Sequence, residues 1–554
     1  MKRAYDIVVV GAGAAGCAAA RACALRHPGA SIALVEQGTR ASMPPVMRVP
    51  SVQPFITSAR KARPFLRTFY CVPEKNLAGR SLAYCVGCGL GGSSLCNDMK
   101  YMRGTRHDFE QWKDPAWTFE TLLPFYKSLE SNARGGSAVH GANGPLPISD
   151  VQRSNLDASM NVRFFEACEA AGVPATDDFN AGSTDGFSAM QSYIKHGSRV
   201  GVFDALVEES KHRTRGLDLL TETAVEKICC AAGKVRGVEV VHKGAAQELA
   251  ASHVVVCAGA LRSPLLLQRS GVGAEGAVVD LPSVGQNLIT TTTVDLIFRI
   301  GNPANVFSKS ISWRNVTYLV QQWREYTEER TGIFTSFLEG VAYVRSQPQR
   351  DHPDLSLQFF RTPQMGTADG ASCWPLDGFT MRVTHHYPSS RGEVRYGASQ
   401  QQQQQRKGTG SAATAVVLRS GLLATKEDVL AMDEGVQWVG LLTSRDGTLR
   451  SVYHVNEREE NVGPFWSYNA TLHRPRTALA TQRDTAAFLA EAVQSGGDLF
   501  GTCAINSVVD AKLRVKGVDG LYVADSSVVP APTVASSSTV GSAIGTRVAS
   551  FIES

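Results

Sequence analysis

The chain has 554 residues, a formal net charge of +5, 43% hydrophobic residues and 19% charged residues. These fractions lie near globular averages, so they exclude a disordered, collagen-like or coiled-coil chain. The length exceeds what one hydrophobic core usually organises, which predicts two domains. No block of Lys and Arg is typical of a nucleic-acid-binding arm, so we expect no nucleic acid partner.

The first predicted element is a buried strand over residues 6–10, which are β-branched and nearly all apolar. An alanine-rich helix over residues 17–25 and a second strand over residues 31–35 follow it. The start of the chain imitates a signal peptide, but Asp6 and three glycines interrupt the apolar stretch. We therefore interpret these residues as folded structure.

A glycine-rich run joins the strand to the helix: Gly11-Ala12-Gly13-Ala14-Ala15-Gly16. Gly11 permits a tight turn, Gly13 lets the backbone approach a pyrophosphate, and Gly16 lets the helix pack closely on the strand. Glu36 lies about 20 residues further on, where a carboxylate accepts hydrogen bonds from ribose hydroxyls. The pattern predicts a dinucleotide site, but it does not distinguish FAD from NAD.

Three further segments distinguish the two cofactors. The first contains Gly87-Cys88-Gly89-Leu90-Gly91-Gly92-Ser93-Ser94 and Asn97-Asp98-Met99, the second Cys257-Ala258-Gly259, and the third Val523-Ala524-Asp525-Ser526. Together with the glycine run, these segments resemble the glucose–methanol–choline (GMC) family of flavin oxidoreductases, and the motifs are choline-dehydrogenase-like. The resemblance implies FAD as the cofactor and an alcohol as the small-molecule substrate.

The resemblance also implies the fold class: α/β, with a doubly wound, Rossmann-like FAD-binding domain and an antiparallel-sheet substrate-binding domain. We expect the FAD-binding domain over residues 1–289, with substrate-domain excursions around 113–200. The substrate-binding domain follows over 290–476, and residues 477–554 return to the FAD-binding domain. Residues 355–360 and 379–385 alternate like half-buried strands of the substrate-binding domain.

The cofactor-binding positions that the resemblance implies are spread over these segments. They are Gly11, Ala12, Gly13, Ala14, Ala15, Gly16, Glu36, Gln37, Gly91, Gly92, Ser93, Asn97, Asp98, Met99, Val225, Ala258, Gly259, Asp525 and Ser526.

The resemblance implies oxidation of a CH–OH group by hydride transfer to flavin, assisted by a base that removes the hydroxyl proton. The family's usual base is a histidine just before Gly-Thr-Cys, but Asp498 occupies that position here. The partner position, a His or Asn in the family, falls at Ser538, and no histidine follows His473. We therefore predict Asp498 and Ser538 as an atypical catalytic pair.

Three interpretations of this departure stay open. Asp498 is the base, because a carboxylate buried beside a flavin can abstract a proton; or His385, His386 or His473 supplies the base; or the protein is a catalytically silent FAD-binding relic. A flavin-dependent photodecarboxylase or lyase on the same scaffold is a further alternative. The electron acceptor (oxygen, a quinone or a carrier) is equally open.

The cysteines, the absence of a long apolar run and a run of glutamines give the remaining predictions, on metals, location and disorder. Cys85 and Cys88 have no second pair to complete a zinc site, so we expect no metal. Cys96 could attach FAD covalently, but a small buried residue is the simpler interpretation. Buried thiols in apolar runs favour a reducing compartment, and no run of 18 apolar residues occurs, so we expect a cytoplasmic protein without a transmembrane segment. Residues 400–405 are six glutamines, predicted to be a disordered loop tip.

Overall fold

The structure is a computed structural model. It describes residues 3–39, 43–56, 64–151, 161–212, 214, 216–300, 316–338, 340–361, 363–367, 370–373, 378–397, 416–443, 470–475, 479 and 481–553. The predicted glutamine loop at residues 400–405 lies outside these ranges.

One seven-stranded sheet, the nucleotide sheet, is built from both ends of the chain and from residues 217–256. Its strands, in spatial order, are Leu217–Leu220, Ile32–Val35, Arg3–Val10, Ala245–Val256, Lys234–His242 and Thr223–Ala231, and Leu521–Val523 also pairs with Ala245–Val256. The first four strands and Leu521–Val523 are parallel, whereas the last two are antiparallel. The isoleucine and three valines of residues 7–10 are all buried, as expected for a parallel strand covered on both faces.

A second seven-stranded sheet, the platform sheet, is antiparallel throughout. Its strands, in spatial order, are Ala470–Arg474, Ile289–Ile300, Gly378–His385, Leu355–Phe360, Gly340–Val344 and Gly186–Ala189, and Gln494–Phe500 also pairs with Ile289–Ile300. One face packs on a hydrophobic core that includes the helix Lys426–Thr443. The other face covers Met102 and Val534, which belong to segments beside the nucleotide sheet.

The remaining elements are helices and short ribbons. The α-helices are Ala14–Arg26, Gln53–Ile56, Arg106–Glu110, Phe119–Leu129, Asn161–Ala170, Arg262–Arg269, Val316–Glu329, Lys426–Thr443, Gln482–Ala492 and Ser537–Val548. The shorter helical turns are Pro45–Arg48, Pro50–Val52, Lys75–Leu77, Gly92–Leu95, Asp204–Glu208, Ile333–Thr335 and Ser526–Val528. The two-stranded ribbons pair Leu66–Tyr70 with Ala83–Gly87, Glu130–Asn132 with Leu146–Ile148, Ile194–Lys195 with Ser198–Arg199, Val272–Gly273 with Val279–Asp280, Gln364–Thr367 with Gly370–Cys373, and Glu393–Tyr396 with Val416–Arg419.

Two helices that are far apart in sequence pack side by side beneath the nucleotide sheet. The first helix, Ala14–Arg26, follows the glycine run, and the C-terminal helix, Ser537–Val548, lies against it. A Cβ atom on Gly541 would lie 3.5 Å from the Cβ of Ala15, and a Cβ on Gly545 would overlap the carbonyl oxygen of Ala15. The C-terminal helix therefore runs past the start of the first helix at backbone contact distance.

The predicted fold class is confirmed: an α/β protein with a Rossmann-like nucleotide sheet and an antiparallel second sheet. The opening strand, helix and second strand occur where predicted. The predicted strands of the substrate-binding domain also occur, but the half-buried prediction is wrong, because both faces of Leu355–Phe360 are buried. The domain boundaries stay predictions. No helix in the described ranges is long and apolar enough to cross a membrane.

Candidate active site

The glycine run forms a turn whose shape depends on the absence of side chains. Gly11 has φ +99°, and a Cβ there would lie 2.6 Å from the carbonyl oxygen of Cys257. A Cβ on Gly16 would overlap the carbonyl oxygen of Gly11. By contrast, a Cβ on Gly13 would meet no atom of the described residues within 4 Å. The turn is thus closed toward the protein at Gly11 and Gly16, and it is open at Gly13, beside the N-terminus of the first helix.

A second glycine loop lies directly against this turn. Gly91 donates its N–H to the carbonyl oxygen of Ala12 at 2.8 Å, and Gly13 and Gly91 form a β-bridge. Gly92 has φ +54°, and a Cβ there would lie 2.7 Å from the Cα of Gly13. The two glycine segments, which are about 80 residues apart in sequence, therefore form one surface.

The loop that continues to Met99 is held from beneath by a buried arginine. Arg199 is 1% exposed, and its guanidinium donates to the carbonyl oxygens of Ser94 and Asn97 and to the side-chain oxygen of Asn97. Burial lowers the pKa of Arg199 to about 10. Met99 has a positive φ of 62° and donates its N–H to the Asn97 side chain. No local pattern in the sequence indicates this role for Arg199, because its contacts lie about 100 residues away.

Glu36 lies at the opposite end of the turn. Its carboxylate accepts the N–H groups of Ala12 at 2.9 Å and of Gly38 at 2.8 Å. Burial raises the pKa of Glu36, although these two hydrogen bonds oppose the shift. A carboxylate has about four acceptor sites, so two remain for further donors. Thr223 donates its N–H to the Glu36 carbonyl, so the strand containing Val225 lies at this end of the turn. The Gln37 side chain is exposed.

The segments around Ala258 and Ser526 meet through one carboxylate. Asp525 accepts hydrogen bonds from the N–H of Gly259 at 2.8 Å, the hydroxyl of Ser263 at 2.6 Å and the N–H of Ser527 at 2.8 Å. Gly259 has φ +84°, and a Cβ there would meet nothing within 4 Å among the residues with described positions. Asp525 therefore fixes two predicted cofactor segments side by side, with an open position at Gly259.

The N-terminus of the C-terminal helix carries a polar atom without a partner. The hydroxyl oxygen of Ser538 is buried, and no hydrogen-bond partner for it occurs within the described ranges. Ser538 is about one turn before Gly541, which contacts Ala15 of the first helix. Buried hydroxyls in native proteins are nearly always paired, so an unpaired one beside an open turn fits a bound ligand.

Asp498 contacts Ser537, the residue before Ser538, from a bulge of the platform-sheet strand Gln494–Phe500. Thr290 pairs with Leu499 and Thr292 with Ser495, so residues 496–498 oppose Thr291 alone. Such bulges redirect side chains and are common near active sites. The Oδ1 atom of Asp498 accepts the N–H of Ser537 at 2.6 Å, at the first residue of the C-terminal helix. The predicted pair, Asp498 and Ser538, is therefore brought together.

The second oxygen of Asp498 faces a lysine that the sequence patterns did not indicate. Lys100 Nζ lies 3.3 Å from Asp498 Oδ2, and the two side chains are 6% and 16% exposed. Burial opposes the charged form of Lys100, but Asp498 and Asp98 outweigh it and raise the pKa of Lys100. The two residues are separated by 398 positions, so no local pattern marks the pair.

The alternative bases occupy less suitable positions. His385 turns away from the platform face that meets Met102, and its ring lies between Asp354 at 3.9 Å and Asp428 at 4.0 Å. His386 is on the site side, but its Nε2 contacts the Ser356 hydroxyl at 2.8 Å. Burial, with Lys100 nearby, holds the pKa of His386 well below its usual range. The side chain of His473 lies outside the described part of the molecule.

Cys96 fits the simpler of its two interpretations. Its side chain packs in a small apolar cluster with Met43, Met47, Phe65 and Leu95. Burial raises the pKa of the Cys96 thiol to about 12, which disfavours the reactive thiolate. The thiols of Cys85 and Cys88 are free, as are those of Cys17, Cys23, Cys71, Cys96, Cys168, Cys229, Cys230, Cys257 and Cys503.

These features define a class: an α/β dinucleotide-binding protein whose second, antiparallel sheet brings a carboxylate to the junction of the two sheets. The family model for GMC oxidoreductase matches residues 5–293 and 388–545. The chain belongs to the GMC oxidoreductase family. It is accordingly an enzyme, a FAD-dependent alcohol dehydrogenase or oxidase, and FAD is its cofactor.

Individual relatives support the same assignment over nearly the whole chain. Pyridoxine 4-oxidase of Microbacterium luteolum is 30% identical, and the alignment covers 96% of each chain. Oxygen-dependent choline dehydrogenase of Sinorhizobium medicae (strain WSM419) is 28% identical over 95% of this chain and 91% of the relative. Among solved structures, pyridoxine 4-oxidase from Mesorbium loti superposes with a TM-score of 0.79 at 24% identity, covering 98% of both chains.

Proposed function

We propose that the enzyme oxidises the CH–OH group of a small polar alcohol, with Asp498 as the acceptor of the hydroxyl proton. The observation that carries the proposal is the position of the Asp498 carboxylate. It lies on a bulge between Lys100 and the N–H of Ser537, the residue before Ser538, whose hydroxyl has no partner among the residues that the structure describes.

The residues that would hold FAD follow from the open position at Gly13 and from the glycine loop that lies against it. The pyrophosphate would lie at Gly13 and Gly91, the ribose near Glu36, and the adenine near Val225. The flavin end would extend past Asn97–Met99 and Asp525–Ser526 toward Ser538. When bound, FAD accepts the hydride that leaves the alcohol carbon.

Asp498 would act on the substrate hydroxyl. Each carboxylate oxygen accepts one N–H donor, so each keeps a lone pair that can accept the alcohol O–H. Removing this proton raises the electron density on the oxygen, which favours departure of the hydride from the neighbouring carbon. A positioned proton acceptor typically contributes a factor of about 100 to 10,000 in rate.

A polar substrate is favoured by the face of the platform sheet that meets Met102 and Val534. Strand register places Tyr343 opposite Ser356, Ser356 opposite Thr384, and Thr384 opposite Thr293. The next row pairs Gln358 with Arg382 and Arg382 with Asp295. The Thr384 hydroxyl has no partner among the described residues, and an apolar substrate would leave it unpaired, at a cost of about 1–3 kcal/mol.

The test is anaerobic spectroscopy of the FAD-loaded protein with a panel of alcohols. Pyridoxine and choline enter the panel because the relatives' names contain them, and benzyl alcohol and 1-octanol represent less polar substrates. We expect a polar alcohol to bleach the flavin absorption and oxygen to restore it, since both relatives are oxidases or oxygen-dependent by name.

Other outcomes of this experiment would replace the proposal. Bleaching only under blue light with a fatty acid would indicate the photodecarboxylase or lyase. An unbleached flavin with every alcohol, despite bound FAD, would indicate a silent FAD-binding scaffold. If the protein reduced by an alcohol reacted with a quinone but not with oxygen, the alcohol chemistry would stand and the acceptor would change.

A further inference from the structure

Lys100 is a buried cation beside the proposed reactive carboxylate. Its side chain is 6% exposed, and its ammonium group contacts the Asp498 carboxylate. Replacing a buried ion pair by apolar residues is often neutral or stabilising, so such a pair is weak evidence for a role in stability. The pair therefore calls for a functional explanation.

The groups around Lys100 come from three parts of the chain. Asp98, in its own loop, accepts the Lys100 backbone N–H. Asp498 approaches from the bulged strand, and the Ser536 hydroxyl, which precedes the C-terminal helix, donates to the Lys100 carbonyl. Burial raises the pKa of Tyr343 and lowers the pKa of His386, and the charge of Lys100 lowers both. Among these groups the ammonium is the cation, and the two carboxylates are the anions.

We propose that Lys100 is a positioning residue for Asp498 and the cation that balances the charge transferred in the reaction, an inference that rests on the proposed function. In that reaction the alcohol C–H bond breaks and its electron pair leaves as hydride to FAD. The O–H bond breaks, its proton bonds to Asp498, and the carbonyl C=O bond forms. Lys100 keeps its own proton throughout.

The charge balance explains why the cation is needed. Before the reaction, Lys100 and ionised Asp498 neutralise each other. Afterwards Asp498 is neutral and the cofactor has gained one negative charge, which the Lys100 ammonium then faces. Without Lys100, the site would carry one more negative charge both before and after the step. In a site shielded from water, a nearby unit charge has a larger effect than it has in solution.

Sulfite provides a probe that does not depend on turnover. This anion bonds to the oxidised flavin ring and leaves a negative charge there, so its affinity reports a cation beside the ring. We expect Lys100→Met, which keeps the length of the side chain, to raise the dissociation constant for sulfite at least tenfold in FAD-loaded protein. Lys100→Arg, which keeps the charge, is the matched control and should change it less than threefold.

The outcomes distinguish charge balance by Lys100 from a purely structural role of Lys100 and from a failure of the proposed alcohol oxidation. If Lys100→Met keeps FAD and binds sulfite as the wild type does, charge balance is wrong. If Lys100→Met loses FAD, the arginine variant decides: retained sulfite affinity supports the proposal, and a tenfold loss overturns it. Failure of every alcohol to bleach the wild-type flavin would overturn the proposed function instead, since sulfite binding needs no alcohol.

Discussion

The glycine turn at the nucleotide sheet and the Asp498 bulge on the platform sheet hold their shapes by different means. At the turn, backbone packs on backbone, and a Cβ on Gly11 or Gly16 would collide with main-chain atoms. At the bulge, a carboxylate is held by one N–H group and one ammonium group. Where backbone packs on backbone, any residue other than glycine would clash. Where hydrogen-bond donors hold an acceptor side chain, a different acceptor side chain can take its place. The turn thus keeps the family pattern, while the reactive position carries an aspartate.

Asp498→Asn gives the largest expected effect and tests the bulge. The amide keeps the size of the side chain but cannot take up the hydroxyl proton. We expect anaerobic flavin reduction by the alcohol substrate to slow by at least about 100-fold, with unchanged FAD content. Stopped-flow absorbance measures the rate, and Asp498→Glu, which keeps a carboxylate, should recover part of it. Equal rates in wild type and Asp498→Asn would remove Asp498 from the proton-accepting role.

Gly16→Ala tests the turn, with Gly13→Ala as the matched comparison. A methyl group at position 16 would force the first helix away from the turn, at a cost of about 3 kcal/mol in the free energy of unfolding. The same methyl group at position 13 meets no atom within 4 Å in the part of the chain that the structure describes, but it occupies the proposed pyrophosphate position. We expect Gly13→Ala to leave the stability of the FAD-free protein within about 0.5 kcal/mol of wild type.

The readouts for this pair are chemical denaturation of the FAD-free proteins and FAD titration. Gly13→Ala should weaken FAD binding at least about tenfold, equivalent to about 1.4 kcal/mol. The comparison between the two regions would fail if Gly16→Ala were as stable as wild type, or if Gly13→Ala bound FAD unchanged.

His140 lies outside both the glycine turn and the Asp498 bulge, and it makes the free energy of unfolding depend on pH. Burial alone would lower the pKa of His140, which is 5% exposed, but Asp178 and Glu130 outweigh it and raise the pKa to about 8. A raised pKa contributes stability that is fully present below pH 6.5, the ordinary value, and is lost as the pH rises through 8. The loss is at most about 2 kcal/mol.

Thermal unfolding of FAD-saturated protein at pH 6 and pH 8.5 measures this effect. His140→Gln should reduce the stability difference between the two pH values. If His140→Gln shows the same stability difference between pH 6 and pH 8.5 as the wild type, other groups cause the pH dependence. The variant also separates stability from catalysis, because it should leave the pH profile of flavin reduction unaltered.

Thr384→Val is the smallest expected effect and tests the polar face of the platform sheet. The Thr384 hydroxyl is buried, and no partner for it occurs among the residues that the structure describes. Valine removes an unpaired group, so stability should stay equal or rise by about 1 kcal/mol. If the hydroxyl binds substrate, KM rises about fivefold with kcat little changed, equivalent to about 1 kcal/mol. Thr384→Ser should behave like wild type, and an unchanged KM in Thr384→Val would exclude this contact.

The sequence allowed good prediction of the nucleotide sheet because its constraints are local. Gly11, Gly13 and Gly16 act within one turn, and their spacing alone indicates the geometry. The platform sheet was harder to predict. In the sequence, Ser356 and Thr384 look like solvent-facing positions, and they are buried only because segments distant in sequence cover them. Lys100 could not be predicted, because its partner lies 398 positions away and only the folded chain brings them together.

The most direct test is an experimental structure of the FAD-loaded enzyme. We expect the flavin ring to lie against Asp498, with a ring atom within about 3.2 Å of the Ser538 hydroxyl oxygen. We also expect the pyrophosphate at Gly13. A flavin ring remote from Asp498, with Ser538 still unpaired, would contradict the convergence of the two sheets on one reactive site.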